Sequence, residues 1–254
     1  MLEQLLAADV FSFVLVFARL GTAFMVFPGF GEITVPVRIR LGLALVFTAV
    51  ILPVVSGGLP ALPANLGGMF LLLGGEIFVG LMIGWVTRFL ITGLQVGGTI
   101  IAAHSGLGSA QLFDPNALQQ GAITGAFLTT LGVTLLFVAD FHHLMLAALV
   151  DSYAVFEPGR GLLVADFAEQ ASRQVAQAFQ LGLRIAMPVV VVALVVYLSM
   201  GMMGRLIPQI QVFFILLPIQ LTLGFVILAI TLAAGLTLFL ERFEAGLGGF
   251  LGAL

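Results

Sequence analysis

The chain has 254 residues, of which 61% are hydrophobic and only 8% charged. Soluble domains carry about 25% charged residues, so this is the composition of an integral membrane protein with room for about six spans. The absence of cysteine excludes disulfides and thiolate metal sites, and a net charge of -3 gives no basis for nucleic-acid binding.

All nine basic residues are arginine. The N-terminal stretch MLEQLLAAD carries Glu3 and Asp9 but no basic residue. It lacks the positive region of a cleaved signal, so the first apolar run is expected to be retained. That run, segment one, extends from Val10 to Phe27 and contains Arg19. A loop from Pro28 to Arg40 ends it. Segment two, Leu41 to Val55, is short for a span of roughly 20 residues. The uncharged, Gly/Pro-rich stretch Ser56 to Gly68 reads as a loop.

Segment three runs from Met69 to Ala103, interrupted by Glu76 and Arg88. A helix of that length is roughly 50 Å long, well over a hydrocarbon core of about 30 Å. It must break, leave the membrane, or both, and Gly93, Gly97 and Gly98 mark the expected break. Gly80 with Gly84, Gly93 with Gly97 and Gly121 with Gly125 have the spacing that lets two helices approach closely.

The longest polar, glycine-broken interval follows, His104 to Gly121 (HSGLGSAQLFDPNALQQG). Its backbone groups would have no partners in lipid, so it must be buried in protein or line a wet cavity. Asp114 before Pro115 favours an extended or turn conformation. Segment four, Ala122 to Val150, is apolar until Asp140. After the loop Asp151 to Gly161, Asp166 and Glu169 have capping-box spacing. From there Phe167, Ala171, Val175, Ala178 and Phe179 fall on one helical face, with Glu169, Arg173, Gln174 and Gln177 on the other. This amphipathic stretch suits a membrane surface or a partner helix and continues into segment five, Leu181 to Met203, with Arg184 and Pro188. Segment six runs from Val212 to Leu240 and ends at Glu241 and Arg242. The arginines divide almost evenly between the two sides of a six-span chain, so the positive-inside rule assigns no orientation.

Charged side chains at mid-bilayer cost about 2.5–3.5 kcal/mol on insertion scales, so Arg19, Glu76, Arg88 and Arg184 are expected to face protein or water and to find partners. Pairing between helices or subunits is the structural reading, and an ion or proton path the functional one. Asp140, His142 and His143 sit together, but adjacent histidines on a helix point about 100° apart and zinc spacing is i, i+4. They read as a polar helix end, so no metal is expected. No nucleophile motif or nucleotide-binding loop is present, and no catalytic residue or cofactor is expected.

Several stretches in order resemble the FliR/SctT family of type III export gate membrane proteins. They are Arg38 to Leu43 (RIRLGL), Gly106 to Pro115 (GLGSAQLFDP), His143 through Asp151 to Gly159, and Arg205 to Phe214 (RLIPQIQVFF) with Leu217, Pro218 and Gly224. The resemblance covers nearly the whole chain. It implies an all-α integral membrane protein of about six apolar helical segments with broken helices, assembled into a helical multi-subunit export gate. Residues 1–254 would form one such membrane domain: a FliP-like part over 1–180, which includes the loop 104–121, and a FliQ-like helical hairpin over 181–254.

The implied function is that of a core subunit of the flagellar protein export gate, which forms the inner-membrane channel for unfolded proteins with FliP and FliQ homologues and contacts FlhB and FlhA homologues. The family's pore plug maps onto Gly106, Leu107, Gly108, Ser109, Ala110, Gln111, Leu112, Phe113, Asp114 and Pro115. The family often has a bulky residue where this chain has Ser109, which implies a less bulky plug. Apolar constrictions resist ions and glycine permits rearrangement, both of which a protein-export pore needs. Other readings are an injectisome export gate subunit, a small-solute secondary transporter working through Glu76, and an intramembrane enzyme using Asp140, His142 and His143.

Overall fold

The computed structural model describes residues 2–106, 120–159, 164–206 and 212–252. They form seven helices: α1 (Leu2–Val26), α2 (Val37–Val55), α3 (Leu66–His104), α4 (Gln120–Val138), α5 (Phe141–Val155), α6 (Val164–Leu206) and α7 (Val212–Gly252), with one 3-10 turn at Ser56–Gly58. There is no strand among the described residues. Five helices are long and apolar enough to cross a membrane, or six if α4 and α5, bent by 76° at their junction, make one span. The chain is an all-α integral membrane protein, as its composition requires.

Boundaries differ from the sequence expectation in instructive ways. Pro36 stands at the N-cap of α2 in an extended conformation, so the helix starts at Val37 and takes in Arg38 and Arg40. Its 19 residues come to about 28 Å, close to the thickness of a hydrocarbon core. Segment four is broken at Asp140, which adopts φ 61° and separates α4 from α5. A left-handed residue cannot continue a right-handed helix.

Segment three is not broken. α3 is a continuous helix of 39 residues, about 58 Å long, and so reaches beyond the hydrocarbon. Gly93, Gly97 and Gly98 serve close packing instead. A Cβ on Gly93 would come within 2.7 Å of the Ala178 carbonyl oxygen, and one on Gly97 within 2.9 Å of that of Gly182. One on Gly98 would strike the backbone of Gly125. The glycines that looked like a hinge admit α6 and α4 to the surface of α3.

α6 begins at Val164, before Asp166, so Asp166 is not its N-cap. Its inward stripe also differs from the expected face. Phe167, Gln174, Ala178, Leu181 and Ile185 are buried, whereas Val175 and Phe179 are 50% and 56% exposed. The stripe follows a seven-residue repeat (167, 174, 181), which a face drawn from hydrophobicity alone missed because it excluded Gln174. α7 runs past Leu240 to Gly252.

The helices build two compact units. The first comprises residues 1–89, 136–174 and 244–254. Its core includes Leu15, Leu20 and Phe27, all fully buried. Phe24 packs edge-on against Phe30 and Phe47, and Phe30 meets Phe137. Gly29 (φ 82°) lies so close to the Phe137 ring that a Cβ there would overlap it. The second unit comprises residues 90–135 and 175–243. Leu90, Leu94, Ile101, Leu128 and Phe239 fill its core, and Thr129 donates a hydrogen bond to the Gln95 side chain, 3.1 Å.

Candidate functional site

In the first unit, the buried charges form one polar network. On α3, Glu76 and Gly80 are one helical turn apart and share a face. A Cβ on Gly80 would run into the backbone carbonyl of Arg19, and one on Gly84 would come within 2.7 Å of Val26 Cβ. These two glycines let α1 and α3 lie almost backbone to backbone, which brings Glu76 against Arg19. The guanidinium binds the carboxylate in bidentate fashion: Nε donates to Oε2 at 2.7 Å and Nη2 to Oε1 at 3.0 Å. The side chains are only 1% and 3% exposed.

α5 completes the shell. Arg19 Nη2 also donates to the Phe156 carbonyl oxygen (2.8 Å) and Nη1 to Ser152 Oγ (3.1 Å). The Tyr153 ring lies under the guanidinium, 3.9 Å from Cζ to its centroid, in cation–π geometry. Ser152 Oγ in turn donates to the Leu149 carbonyl oxygen. A buried pair withstands its desolvation only when geometry is good and further hydrogen bonds satisfy the remaining donors. Both conditions hold here. This network locks three helices together and leaves Glu76 no open face for a passing ion or solute.

The other two charges lie elsewhere. Arg88 pairs with Glu32 at 2.5 Å, but their side chains are 40% and 30% exposed. Arg184 is exposed on the surface of the chain, where water or a neighbouring subunit would meet it. The reason is its register: the inward positions of α6 around it are Leu181, Gly182, Ile185 and Ala186, so position 184 points away.

In the second unit, α3 ends beside the mid-chain loop. Ser105 N–H closes the last helical turn on Ile101, and Gly106 adopts φ 85°, the left-handed C′ glycine that commonly terminates a helix. Gln220 of α7 donates from Nε2 to the His104 carbonyl oxygen (2.8 Å) and to Tyr197 Oη of α6 (3.0 Å). Sequence reading missed Gln220, whose only signal was an amide within an apolar run. Of the plug residues, Gly106 is placed. Leu107, Gly108, Ser109, Ala110, Gln111, Leu112, Phe113, Asp114 and Pro115 lie outside the described residues.

Asp140, His142 and His143 are brought together by the turn at Asp140, one ligand atom of each lying within 4.8 Å of the others. The neighbouring imidazoles do not diverge as helical spacing suggested. Their centroids are 4.1 Å apart, and His142 stacks on Phe137. Two imidazoles and a carboxylate could in principle ligate a divalent transition metal, but Asp140 and His143 are exposed and their own contact is 3.7 Å.

These features define a polytopic helical membrane protein with a sealed ion-pair core and a glycine-terminated helix leading into its central loop. Over residues 10–246 the chain matches the family described as bacterial export proteins, family 1. It is 39% identical over 218 residues to the flagellar biosynthetic protein FliR of Caulobacter vibrioides, covering 86% of this chain and 87% of that protein. It is 30% identical over 213 residues to the FliR of Aquifex aeolicus, 83% of this chain and 81% of the relative. The Yop proteins translocation protein T of Yersinia pestis is 25% identical over 226 residues, 87% and 85% of the two chains. The chain belongs to bacterial export protein family 1, in the branch that contains FliR.

Proposed function

We propose that this chain is a core, non-catalytic subunit of the type III export gate of the bacterial flagellum. In this reading it sits in the inner membrane at the flagellar basal body. It forms a channel for unfolded flagellar proteins together with FliP and FliQ homologues, in contact with FlhB and FlhA homologues and with membrane lipid, and flagellum assembly requires it. The observation that carries the reading is the family match across residues 10–246, with a relative named as flagellar biosynthetic protein at 39% identity. The lower identity to the Yersinia translocation protein, 25%, favours the flagellar system over an injectisome.

The helices support an assembled role. α3, α6 and α7 have 39, 43 and 41 residues and measure about 58–64 Å, so each leaves a hydrocarbon core of about 30 Å. Such helices suit a subunit of an assembly raised partly out of the membrane plane. Within that assembly, residues 1–180 are the FliP-like part and 181–254 the FliQ-like hairpin. Residues 106–115 plug the pore, with Leu107, Leu112 and Phe113 as the apolar barrier and the glycines as its points of movement. A small-solute carrier is disfavoured by Glu76, which is closed in by Arg19.

Deleting residues 106–113 tests the plug. The complex is expected to assemble and to leak ions. A deletion strain with normal ion impermeability contradicts the assignment.

A further inference from the structure

We propose that Gln220 is the positioning residue that fixes the C-terminal end of α3, and with it the start of the mid-chain loop. The inference rests on the reading of that loop as a plug.

Gln220 is 6% exposed. It shares a small, mainly apolar cavity with His104, Val189, Val192, Ala193, Val196 and Leu223, where an apolar side chain of the same length would pack without desolvating an amide. What the amide supplies is two directed hydrogen bonds, and both amide hydrogens are used. One goes to the His104 carbonyl oxygen, among the last carbonyls of α3, which have no partner within their own helix. The other goes to Tyr197 Oη, which holds the amide from α6. The bond therefore falls two residues before the left-handed turn at Gly106.

The rest of α7 is shaped to the same contact. Gly224 lies one turn from Gln220 on the same face, and a Cβ there would come within 2.7 Å of Ser105 Cβ. Only glycine lets α7 approach closely enough for the Gln220 amide to reach the end of α3. Gly106 itself sits against the Gln220 side chain, a Cβ there meeting Cδ at 3.5 Å. Residues 104 and 105 are thus seated on one turn of α7 by a hydrogen bond and one close approach, with Gly106 beside the Gln220 side chain. Water competes poorly for such a bond in apolar surroundings, so it gives the loop a fixed origin.

The test uses the purified complex containing the full chain and its partner subunits, reconstituted in vesicles for ion-flux measurement. Three variants are compared: deletion of residues 106–113, Gln220→Met and Tyr197→Phe. Gln220→Met is expected to assemble like the parent and to raise ion flux about fivefold, the change in a closed-to-open ratio expected for one lost hydrogen bond. Tyr197→Phe keeps the bond to His104 and is expected to raise flux by about twofold or less. If the deletion leaks while assembled Gln220→Met stays tight, the role of Gln220 is refuted and the plug reading stands. If the deletion stays tight, the plug reading itself fails and takes this inference with it. Failure of Gln220→Met to assemble also overturns the inference, because Gln220 would then serve folding rather than loop position. Equal leakage from Tyr197→Phe and Gln220→Met would overturn it too, by removing the His104 bond as the cause.

Discussion

Arg19 and Glu76, 57 residues apart in the chain, form a bidentate ion pair of 2.7 and 3.0 Å with both side chains almost completely enclosed. Removing one partner leaves an uncompensated charge inside the protein. Arg19→Ala or Glu76→Ala is expected to lower stability by about 3–5 kcal/mol, whereas Arg19→Met with Glu76→Leu, which removes both charges and keeps the volume, is expected to recover most of it. Thermal unfolding of the detergent-solubilised protein measures this. A double variant no better than the singles would contradict a paired role.

The pair of Arg88 and Glu32 has similar chemistry but different surroundings. With side chains 40% and 30% exposed, it is screened. Arg88→Ala is expected to change stability by about 1 kcal/mol or less. An effect as large as that of Arg19→Ala in the same unfolding experiment would show that exposure does not govern these charges.

Gly80 sets the distance on which the buried pair depends. Any Cβ there collides with the Arg19 backbone carbonyl, which cannot rotate away as a side chain could. Gly80→Ala is expected to destabilise by about 1–3 kcal/mol, and more of that loss should disappear in an Arg19→Met/Glu76→Leu background than additivity allows. A double-mutant cycle reads the coupling.

Asp140 holds φ 61° at the α4–α5 junction without a side-chain cap bond to α5. Glycine adopts that conformation without strain. Asp140→Gly is expected to be neutral or stabilising by up to about 1 kcal/mol, and Asp140→Val destabilising by about 1–2 kcal/mol. The reverse order in thermal melts would mean that the carboxylate, rather than the turn, matters at this position.

The class of the protein and the number of its apolar segments were legible in the sequence because hydropathy over 20 residues is a property of the chain alone. The roles of its glycines were legible only in part: Gly80 with Gly84 and Gly93 with Gly97 have the spacing of close helix approach and serve it, but their partners were not legible. Gly93, Gly97 and Gly98 read as a break because glycine weakens an isolated helix. Their use depends on Ala178, Gly182 and Gly125, which no local pattern places opposite them. Asp140 posed the opposite problem, a break with no glycine or proline to announce it. The need of Arg19 and Glu76 for partners was legible from their burial in apolar runs. The third helix in that network was not, since Ser152, Tyr153 and the Phe156 carbonyl carry no charge. The inward position of Gln174 on α6 and the bond from Gln220 to His104 escaped for the same reason. A polar residue in an apolar stretch announces that it needs a partner, but only the fold says which.

The central claim, membership of an export gate, is tested most directly by affinity purification of the tagged full-length chain from the membrane of its own cells. The expected result is one stable complex that contains homologues of FliP and FliQ in fixed ratio and is absent from cells lacking this chain. A stable complex of those partners that forms and exports flagellar proteins without this chain would contradict the account.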